Sequence, residues 1–524
     1  MTWLDYTIIG IYLAGLLLLG VVFRQQKSGN DYFLGGRSLS WPTLTLSVMA
    51  TQLSAISFIS APAFVGLREG GGLIWLSYEL ALPIAVAIML WRLLPTLHNA
   101  GVVSVYDYLE KRFSRSTRLL ISFVFQLSRS FATAIMIYAI SLILQGTMGL
   151  TQWHSIMIIG VITLIYSAMG GMKAVVYGDA IQMILILAGA ALCLWAGLDA
   201  IGGWTEVMAN VDPQRLVAAN TESAGWSGSD FGLLPMIFGG IILYASYYGC
   251  DQSEAQRSLS SRNLGDLRKM LLAVAFLRFP ITLLYCTTGL VIGTLVLQQP
   301  ELQAQIPANE PDWMMPVFII EYLPTGLIGI LVVAIMAAAM SSLSSAINSL
   351  AAVTVEDLCR LRNAKPDNAT YMKYARIAGV GWGLLTLLLS LYAGDIAPTV
   401  IEAINKIGSV FYGPVLAVFL LGIQFRSVSA KAANTGLTLG VLVNVTLWLS
   451  GSPLFWFWWN LIGFVITMVV ALVISRFIPN DVRHILPSVR GISVGTVAML
   501  VVWSGVLVFI CLQIPDWLLA LNVG

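Results

Sequence analysis

The chain has 524 residues, of which 58% are hydrophobic and only 10% are charged. Soluble globular proteins typically carry about 25% charged residues, so this composition excludes an ordinary soluble protein. The formal net charge of +2 gives no indication of a nucleic-acid partner, and the 5 cysteines and 3 histidines show no metal-ligand spacing. We therefore expect an integral membrane protein whose surroundings are the lipid bilayer, with no nucleic acid among its partners.

Fourteen apolar runs are long enough to cross a bilayer, which takes about 20 mostly apolar residues. They cover residues 4–23, 41–66, 73–97, 119–147, 152–169, 178–200, 231–250, 270–297, 325–358, 372–393, 399–423, 431–450, 454–477 and 492–515. The first run does not resemble a signal peptide, because Asp5 stands where a basic segment should be. The sequence therefore predicts an all-α polytopic membrane protein that forms a single domain over residues 1–524.

Lysine and arginine alternate from one connecting loop to the next. The odd-numbered connections hold 22 of the 28 basic residues, whereas the even-numbered ones hold only Arg68 and Arg215. Cytoplasmic loops of membrane proteins are enriched in basic residues, so the odd connections are predicted to be cytoplasmic. Both termini then lie on the non-cytoplasmic side of a plasma or inner cell membrane.

Polar residues and glycines interrupt two of the predicted helices. The run 41–66 is polar from Thr51 to Ser57, and the run 231–250 contains a glycine pair followed by Tyr244, Ser246 and two more tyrosines. Two interrupted helices five positions apart are typical of transporters built as inverted repeats, in which broken helices expose backbone carbonyls to ions. Tight helix packing through small residues is the alternative interpretation.

The run 325–358, called here the serine-rich helix, contains six polar residues within nine positions: Ser341, Ser342, Ser344, Ser345, Asn348 and Ser349. Spacings of three and four place Ser341, Ser344 and Ser345 on one helix face. Hydroxyl oxygens suit a hard cation such as sodium, whereas thiolate or imidazole would favour a transition metal. This pattern predicts a sodium site.

Arg129 lies roughly 15 Å into a helix that begins on the cytoplasmic side, which is near the middle of the bilayer. A central arginine costs about 2.5–3.5 kcal/mol on insertion scales, so it normally faces a partner, a cavity or a ligand. Two interpretations stay open: recognition of a substrate carboxylate, or an internal ion pair with Glu79 or Glu402. Lys406 lies one turn from Glu402 and is predicted to pair with it.

Four motifs in order resemble the sodium/solute symporter family: DYFLGGRSLSW, YSAMGGMKAVVYGDAIQ (166–182), DQSEAQRSLSSRN (251–263) and the serine-rich helix. The family comprises sodium-coupled carriers of glucose, iodide, monocarboxylates, vitamins, proline and sialic acid, and the resemblance extends from about residue 1 to 425. It implies a LeuT-type fold of two inverted five-helix repeats, over 41–200 and 231–423. A leading helix at 4–23 and three accessory helices over 431–515 complete this arrangement.

The resemblance also implies sodium ligands, on the first interrupted helix and on the serine-rich helix. The first site is implied at Ala50, Leu53, Ala338, Ser341 and Ser342. A second site, present in some members, is implied at Asp179, Ser344 and Ser345, so that one or two sodium ions bind. Here Tyr177 and Gly178 precede the aspartate, where relatives have Trp-Thr.

Candidate substrate residues follow partly from the polar helix centres and partly from the resemblance: Gln52, Ser54, Ser57, Tyr78, Glu79, Arg129, Tyr244, Tyr247 and Arg278. Glu79 ends a Ser-Tyr-Glu motif of the glucose carriers, and Arg278 replaces their sugar-site lysine. Ser57 and Tyr244 replace their sugar-binding Gln and Asn, and Tyr247 matches an inner-gate tyrosine. Glu79 thus favours a sugar or polyol as substrate, and Arg129 favours an organic acid.

We therefore predict a sodium-coupled symporter of a small organic solute, either a monocarboxylate or sugar acid, or a sugar or polyol. The sequence shows no nucleophile–base set, so we do not expect an enzyme. A single chain is expected to suffice for transport, and an oligomer is left open. The alternative is a channel or a transporter-like receptor without stoichiometric sodium coupling.

Overall fold

The computed structural model describes residues 1–22, 34–102, 104–227, 231–361, 367–478 and 489–520. Within its helices, the side chains at 16–17, 19–22, 163–171, 174, 337–338, 341, 360 and 368 lie outside this description. The described chain folds into helices that we number α1 (Trp3–Val22), α2 (Trp41–Gln52), α3 (Ala55–Gly66), α4 (Leu73–Asn99), α5 (Val105–Arg112), α6 (Arg115–Met148), α7 (Gln152–Ile201), α8 (Leu233–Cys250), α9 (Gln252–Leu259), α10 (Leu264–Gln298), α11 (Met314–Tyr322), α12 (Leu327–Leu361), α13 (Asn368–Ser390), α14 (Val400–Gln424), α15 (Ala430–Leu449), α16 (Phe457–Ser475) and α17 (Val494–Ala520).

The helical fold class predicted from the sequence is confirmed over this part of the chain. Nine of the described helices are long and apolar enough to cross a membrane, or ten if the bent pair α2 and α3 forms one span. The helix α4 is irregular, because it begins as a 3-10 helix over Leu73–Ala81 and contains a π-helical turn at Met89–Leu93.

One element differs from the sequence prediction. Residues 152–169 and 178–200, predicted as two helices, lie in the single continuous helix α7. A straight helix of 50 residues would be about 75 Å long, more than twice the ~30 Å hydrocarbon core, so α7 cannot be one membrane span. Its second half, Val175–Ile201, satisfies the length and composition of a span by itself. The connecting residues include no proline, so the backbone can stay helical there.

Backbone contact between glycines holds α3 against α10. A Cβ atom added at Gly289 would lie 2.4 Å from the carbonyl oxygen of Pro62, and one at Gly293 would lie 2.3 Å from the Cα of Gly66. No larger residue fits at these positions without moving a helix, which is how small residues allow close helix packing in membranes. This contact fixes α3 independently of α2.

The leading helix α1 is attached to the start of α12 through the buried side chain of Asp5. Its Oδ1 accepts hydrogen bonds from the Gly326 N–H (2.7 Å) and the Gly329 N–H (2.9 Å). The first amide groups of a helix have no intrahelical acceptor, and a negative charge is favourable at this end. Asp5 therefore caps the serine-rich helix from another element.

A second buried charge cluster positions α6, the helix that carries Arg129. The guanidinium of Arg118 is fully buried and binds Asp107 of α5, Glu110 at 3.2 Å and Asp357 of α12 at 2.9 Å. These ion pairs join α5, α6 and α12.

Candidate functional site

The first interrupted helix is broken, as the sequence predicts. Helix α2 ends at Gln52 and α3 begins at Ala55, with a bend of 52° between them. Leu53 (φ −85°, ψ 55°) and Ser54 (φ −73°, ψ −172°) leave the helical region, and the Ser54 Oγ accepts the Ile56 N–H at 3.3 Å to cap α3. Because α2 stops here, the Ala50 carbonyl lacks the amide donor of a continuing helix.

The serine-rich helix α12 packs against both α2 and α3. Ser342 is fully buried on α12, and its hydroxyl oxygen has no hydrogen-bond partner. Leaving a buried hydroxyl unpaired costs about 1–3 kcal/mol, so this oxygen is suited to bind a cation. The side chains of the two other residues implied on this helix, Ala338 and Ser341, lie outside the described residues.

Asp179, implied at the second sodium site, is fully buried on α7 and forms an ion pair with Arg257 of α9. The Arg257 Nη2 lies 2.8 Å from the Asp179 Oδ2, which also accepts a hydrogen bond from Ser47 of α2. The Asp179 Oδ1 has no hydrogen-bond partner. One carboxylate oxygen thus joins three helices, and the other remains open to a ligand.

Ser344 and Ser345, the other residues implied at the second sodium site, are buried on α12, which packs extensively against α7. Arg257 lies in the connection between α8 and α10, as the sequence predicts, and is completely buried there as the partner of Asp179.

A cavity of about 710 Å³ lies beside the break, between α2, α3, α4, α6, α8, α10 and α14. Eight of the nine predicted substrate residues line it: Gln52, Ser54, Ser57, Tyr78, Glu79, Arg129, Tyr247 and Arg278. The ninth, Tyr244, lies behind the wall and stacks on Tyr78 with ring centroids 4.3 Å apart.

Several polar and aromatic lining residues were missed from the sequence, among them Trp75, Thr282, Tyr285, Asn405 and Tyr412. Thr282 lies four residues after Arg278, and Tyr412 lies seven after Asn405. Helical spacing from a known site residue would have indicated Thr282. Helical spacing could not indicate Asn405 and Tyr412, because no residue of α14 was predicted to bind substrate.

Glu79 and Arg278 form a closed network at the cavity wall. The Arg278 Nε lies 3.0 Å from the Glu79 Oε1 and 3.1 Å from Oε2. The Tyr244 hydroxyl donates to Oε2 at 2.8 Å, and the Thr282 hydroxyl donates to Oε1 at 2.9 Å. Both oxygens of Glu79 are therefore engaged by the protein. The Nη1 of Arg278 has no hydrogen-bond partner and is free to bind a ligand.

Arg129 is 1% exposed, and none of its three guanidinium nitrogens has a hydrogen-bond partner. Its Nη1 lies 3.7 Å from the Asp251 Oδ2, an ion-pair distance too long for a hydrogen bond. The guanidinium carbon lies 6.0 Å from the ring centroid of Tyr247. A guanidinium offers five N–H donors, and here they face the cavity without acceptors.

Arg129 does form an internal ion pair, with Asp251, but the two partners suggested from the sequence are wrong. Glu79 binds Arg278, and Glu402 binds Arg68 at 2.8 Å. The predicted pairing of Lys406 with Glu402 is also wrong, because the Lys406 amine lies over the Trp448 ring, 5.8 Å from its centroid.

The second interruption lies later in the chain than the sequence indicates. The glycine pair at 239–240 sits inside the continuous helix α8, where a Cβ on Gly239 would come within 2.3 Å of the Phe457 carbonyl oxygen. The glycines therefore serve close packing. The break is at Asp251, which is extended (φ −74°, ψ 124°) between α8 and α9. Its Oδ1 accepts the Ser253 N–H at 2.8 Å, and its Oδ2 faces Arg129.

Known proteins match this chain over most of its length. Residues 32–440 match the sodium:solute symporter family model. A sodium/sialic acid symporter of Aliivibrio fischeri is 29% identical, over 92% of this chain and 94% of that protein. The human sodium/iodide cotransporter is 30% identical over 84% and 68%. A putative sodium-dependent multivitamin transporter of Drosophila melanogaster is 30% identical over 83% and 73%.

Solved structures show the same fold. The substrate-bound, outward-open structure of a sodium-coupled sialic acid symporter superposes with a TM-score of 0.82 at 26% identity, covering 92% of this chain and 99% of that one. The crystal structure of MhsT with L-phenylalanine reaches a TM-score of 0.51 at 17% identity, over 83% and 98%, which shows likeness of fold alone. The neighbours therefore have the LeuT-like architecture expected from the sequence.

Proposed function

The chain belongs to the sodium:solute symporter family, and we propose that it uses the cavity at the broken helix to carry a small hydroxylated organic acid, of the sugar-acid type, together with sodium. Membership makes it a multi-pass membrane transporter that couples a small solute to sodium, and not an enzyme. The substrate and the binding residues are our proposals.

The guanidinium of Arg129, which faces Asp251 at ion-pair distance but makes no hydrogen bond, is the observation that carries the substrate proposal. Arginine binds a carboxylate through two parallel charge-assisted hydrogen bonds, and these are about twice as strong as neutral ones. All three nitrogens of Arg129 are buried at the cavity wall without an acceptor. A ligand carboxylate would supply the two hydrogen-bond acceptors that Asp251, at 3.7 Å, does not. Relatives of this chain include carriers named for sialic acid, iodide and monocarboxylate.

Three further buried polar atoms at the cavity wall favour a ligand that also carries hydroxyl groups. The hydroxyls of Tyr78 and Tyr285 and the Nη1 of Arg278 have no hydrogen-bond partner. A short apolar monocarboxylate would satisfy Arg129 and leave these atoms unpaired, whereas the hydroxyls of a sugar acid can pair them.

We place the first sodium ion among the Ala50 and Leu53 carbonyls, Ala338, Ser341 and Ser342, and a second near Asp179, Ser344 and Ser345. The unpaired oxygens of Ser342 and Asp179 support both sites. A sodium ion at the end of α2 would stabilise the bend that also positions Gln52 and Ser54 at the cavity. Ion and substrate then favour the same conformation, which is the reciprocal coupling that symport requires.

The sidedness and the assembly are also proposals. The alternation of basic loops supports a non-cytoplasmic location of both termini. A single chain is proposed to suffice for transport.

The test is uptake by the purified protein in proteoliposomes. Sugar acids, short monocarboxylates and neutral sugars of matched size are offered with an inward gradient of sodium or choline. We expect sodium-dependent uptake of a sugar acid and none of its neutral analogue. Uptake that persists unchanged in choline would refute sodium coupling in this chain, and preference for the neutral sugar would refute the acid.

A further inference from the structure

Glu254, in the first turn of α9, is a buried acidic residue that the transport sites do not use. It is 1% exposed, and neither of its carboxylate oxygens has a hydrogen-bond partner. Its helix runs from the break at Asp251, beside Arg129, to a connection whose arginines predict the cytoplasmic side. Glu254 therefore lies on the helix that leads from the cavity toward the cytoplasm.

The charges around Glu254 do not balance. The charged groups that act on it most strongly are Arg257, Arg129, Asp251 and Asp179. Arg257 pairs with Asp179 at 2.8 Å, and Arg129 lies 3.7 Å from Asp251. Two cations thus face three carboxylates, which leaves one negative charge uncompensated among buried residues. An uncompensated buried charge is strongly destabilising, so Glu254 must bind a proton or a cation.

A proton fits this position better than sodium does. Hard metal cations take several oxygen ligands, whereas a proton needs only one carboxylate oxygen. The groups around Glu254 include two guanidiniums, which have no acceptor atom to offer a metal ion, and the tyrosines Tyr247, Tyr248 and Tyr412, which are neutral. The sodium ion proposed at Asp179 and the substrate carboxylate proposed at Arg129 would add one positive and one negative charge to this group of residues. The single uncompensated negative charge would therefore remain.

We propose that Glu254 is a proton-binding site of the transport cycle. In the present arrangement its carboxyl group is neutral. When α9 moves and admits cytoplasmic water, the O–H bond breaks, the proton passes to a water molecule, and a carboxylate remains. Return of α9 to the buried position requires a proton to be taken up again. The movement of α9 rests on the proposed function, whereas the neutral form of Glu254 does not.

The first measurement is the pH dependence of sodium-driven uptake in three proteins: the unaltered chain, Glu254→Gln, and the control Glu222→Gln, which removes an exposed carboxylate. We expect uptake by the unaltered chain and by the control to vary from mildly acidic to mildly alkaline pH. Glu254→Gln should lose most of that variation and keep its sodium concentration for half-maximal uptake. An unchanged pH profile in Glu254→Gln would overturn the proposal. A raised sodium requirement with an unchanged profile would overturn it in favour of a sodium site.

The second measurement needs neither substrate nor transport, so it is independent of the proposed function. Infrared spectroscopy of the purified protein at neutral pH reports protonated carboxyl groups through their C=O stretching band. We expect Glu254→Gln to remove one such band and Glu222→Gln to leave it. If Glu254→Gln does not transport, the infrared comparison by itself tests whether Glu254 is protonated. Identical carboxyl bands in the unaltered protein and in Glu254→Gln would overturn the proposal.

Discussion

Replacing Arg129 by glutamine tests how the cavity recognises its substrate. Two charge-assisted hydrogen bonds to a carboxylate contribute about 1.5–3 kcal/mol each, so their loss should weaken binding by about 3–6 kcal/mol, or roughly 10²- to 10⁴-fold. The change also leaves the buried Asp251 without the cation that faces it at 3.7 Å, so thermal unfolding of each variant is measured alongside binding, and affinities are compared only between folded proteins. Arg129→Lys should be intermediate, since lysine keeps the charge and loses the planar fork.

The assay is binding of the carboxylate ligand to purified protein in sodium, measured by calorimetry. The matched control is Arg92→Gln, which removes one positive charge at an exposed position of α4. The same titrations are repeated with an analogue whose carboxylate is replaced by a neutral amide. Arg129→Gln should lose affinity for the acid and little for the amide, whereas Arg92→Gln should bind both as before.

Two results would refute this reasoning. If Arg129→Gln binds the acid within about threefold of the unaltered protein, less than 1 kcal/mol, the guanidinium does not contact the carboxylate. If acid and amide lose affinity equally, Arg129 shapes the cavity and does not recognise charge.

Three further predictions concern the first sodium site, the ion pair of Glu79 with Arg278, and the buried carboxyl group of Asp312. Ser342→Ala should raise the sodium concentration for half-maximal uptake about tenfold, since one lost ligand oxygen is worth on the order of 1.4 kcal/mol; an unchanged requirement would contradict the site. Glu79→Gln should lower stability in thermal unfolding by about 3–5 kcal/mol by leaving Arg278 unpaired, and Arg278→Met in the same chain should restore part of it; no restoration would show that the pair is not coupled. Burial raises the pKa of Asp312, in the connection between α10 and α11, from 3.8 to about 7. The folded state then holds this proton more tightly than the unfolded chain, so stability falls by at most about 4 kcal/mol as pH rises from about 4 to 7. Asp312→Asn should reduce that fall, and an unaltered pH dependence of thermal unfolding would contradict the assignment.

Hydropathy and local polarity were sufficient to predict the positions of most helices and the break at Leu53 and Ser54. These features are local, because a membrane helix must satisfy its own backbone hydrogen bonds. The polar stretch from Thr51 to Ser57 therefore marks the break within the sequence itself. The candidate cavity residues were also predicted well, since polar side chains in apolar helices rarely face lipid.

The ion pairs could not be predicted, because packing brings together residues that are far apart in the chain. Arg257 and Asp179 are 78 residues apart, and Arg68 and Glu402 are 334 apart. Sequence proximity suggested Lys406 for Glu402, yet the orientation of α14 directs Glu402 to Arg68. The later break at Asp251 was missed for a related reason. A glycine pair looks the same in sequence whether it interrupts a helix or lets another backbone approach, as Phe457 approaches Gly239.

The contact between Asp5 and Gly326 has a consequence for the biosynthesis of the protein. The two residues are 321 positions apart, so at a synthesis rate of about 5–20 residues per second Gly326 is made roughly 15 to 60 s after Asp5. Throughout that interval the Asp5 carboxylate of α1 lacks the amide groups that it binds in the folded protein. Docking of α1 against the start of α12 is therefore a late step of assembly. It indicates that the start of the serine-rich helix has been made and has folded.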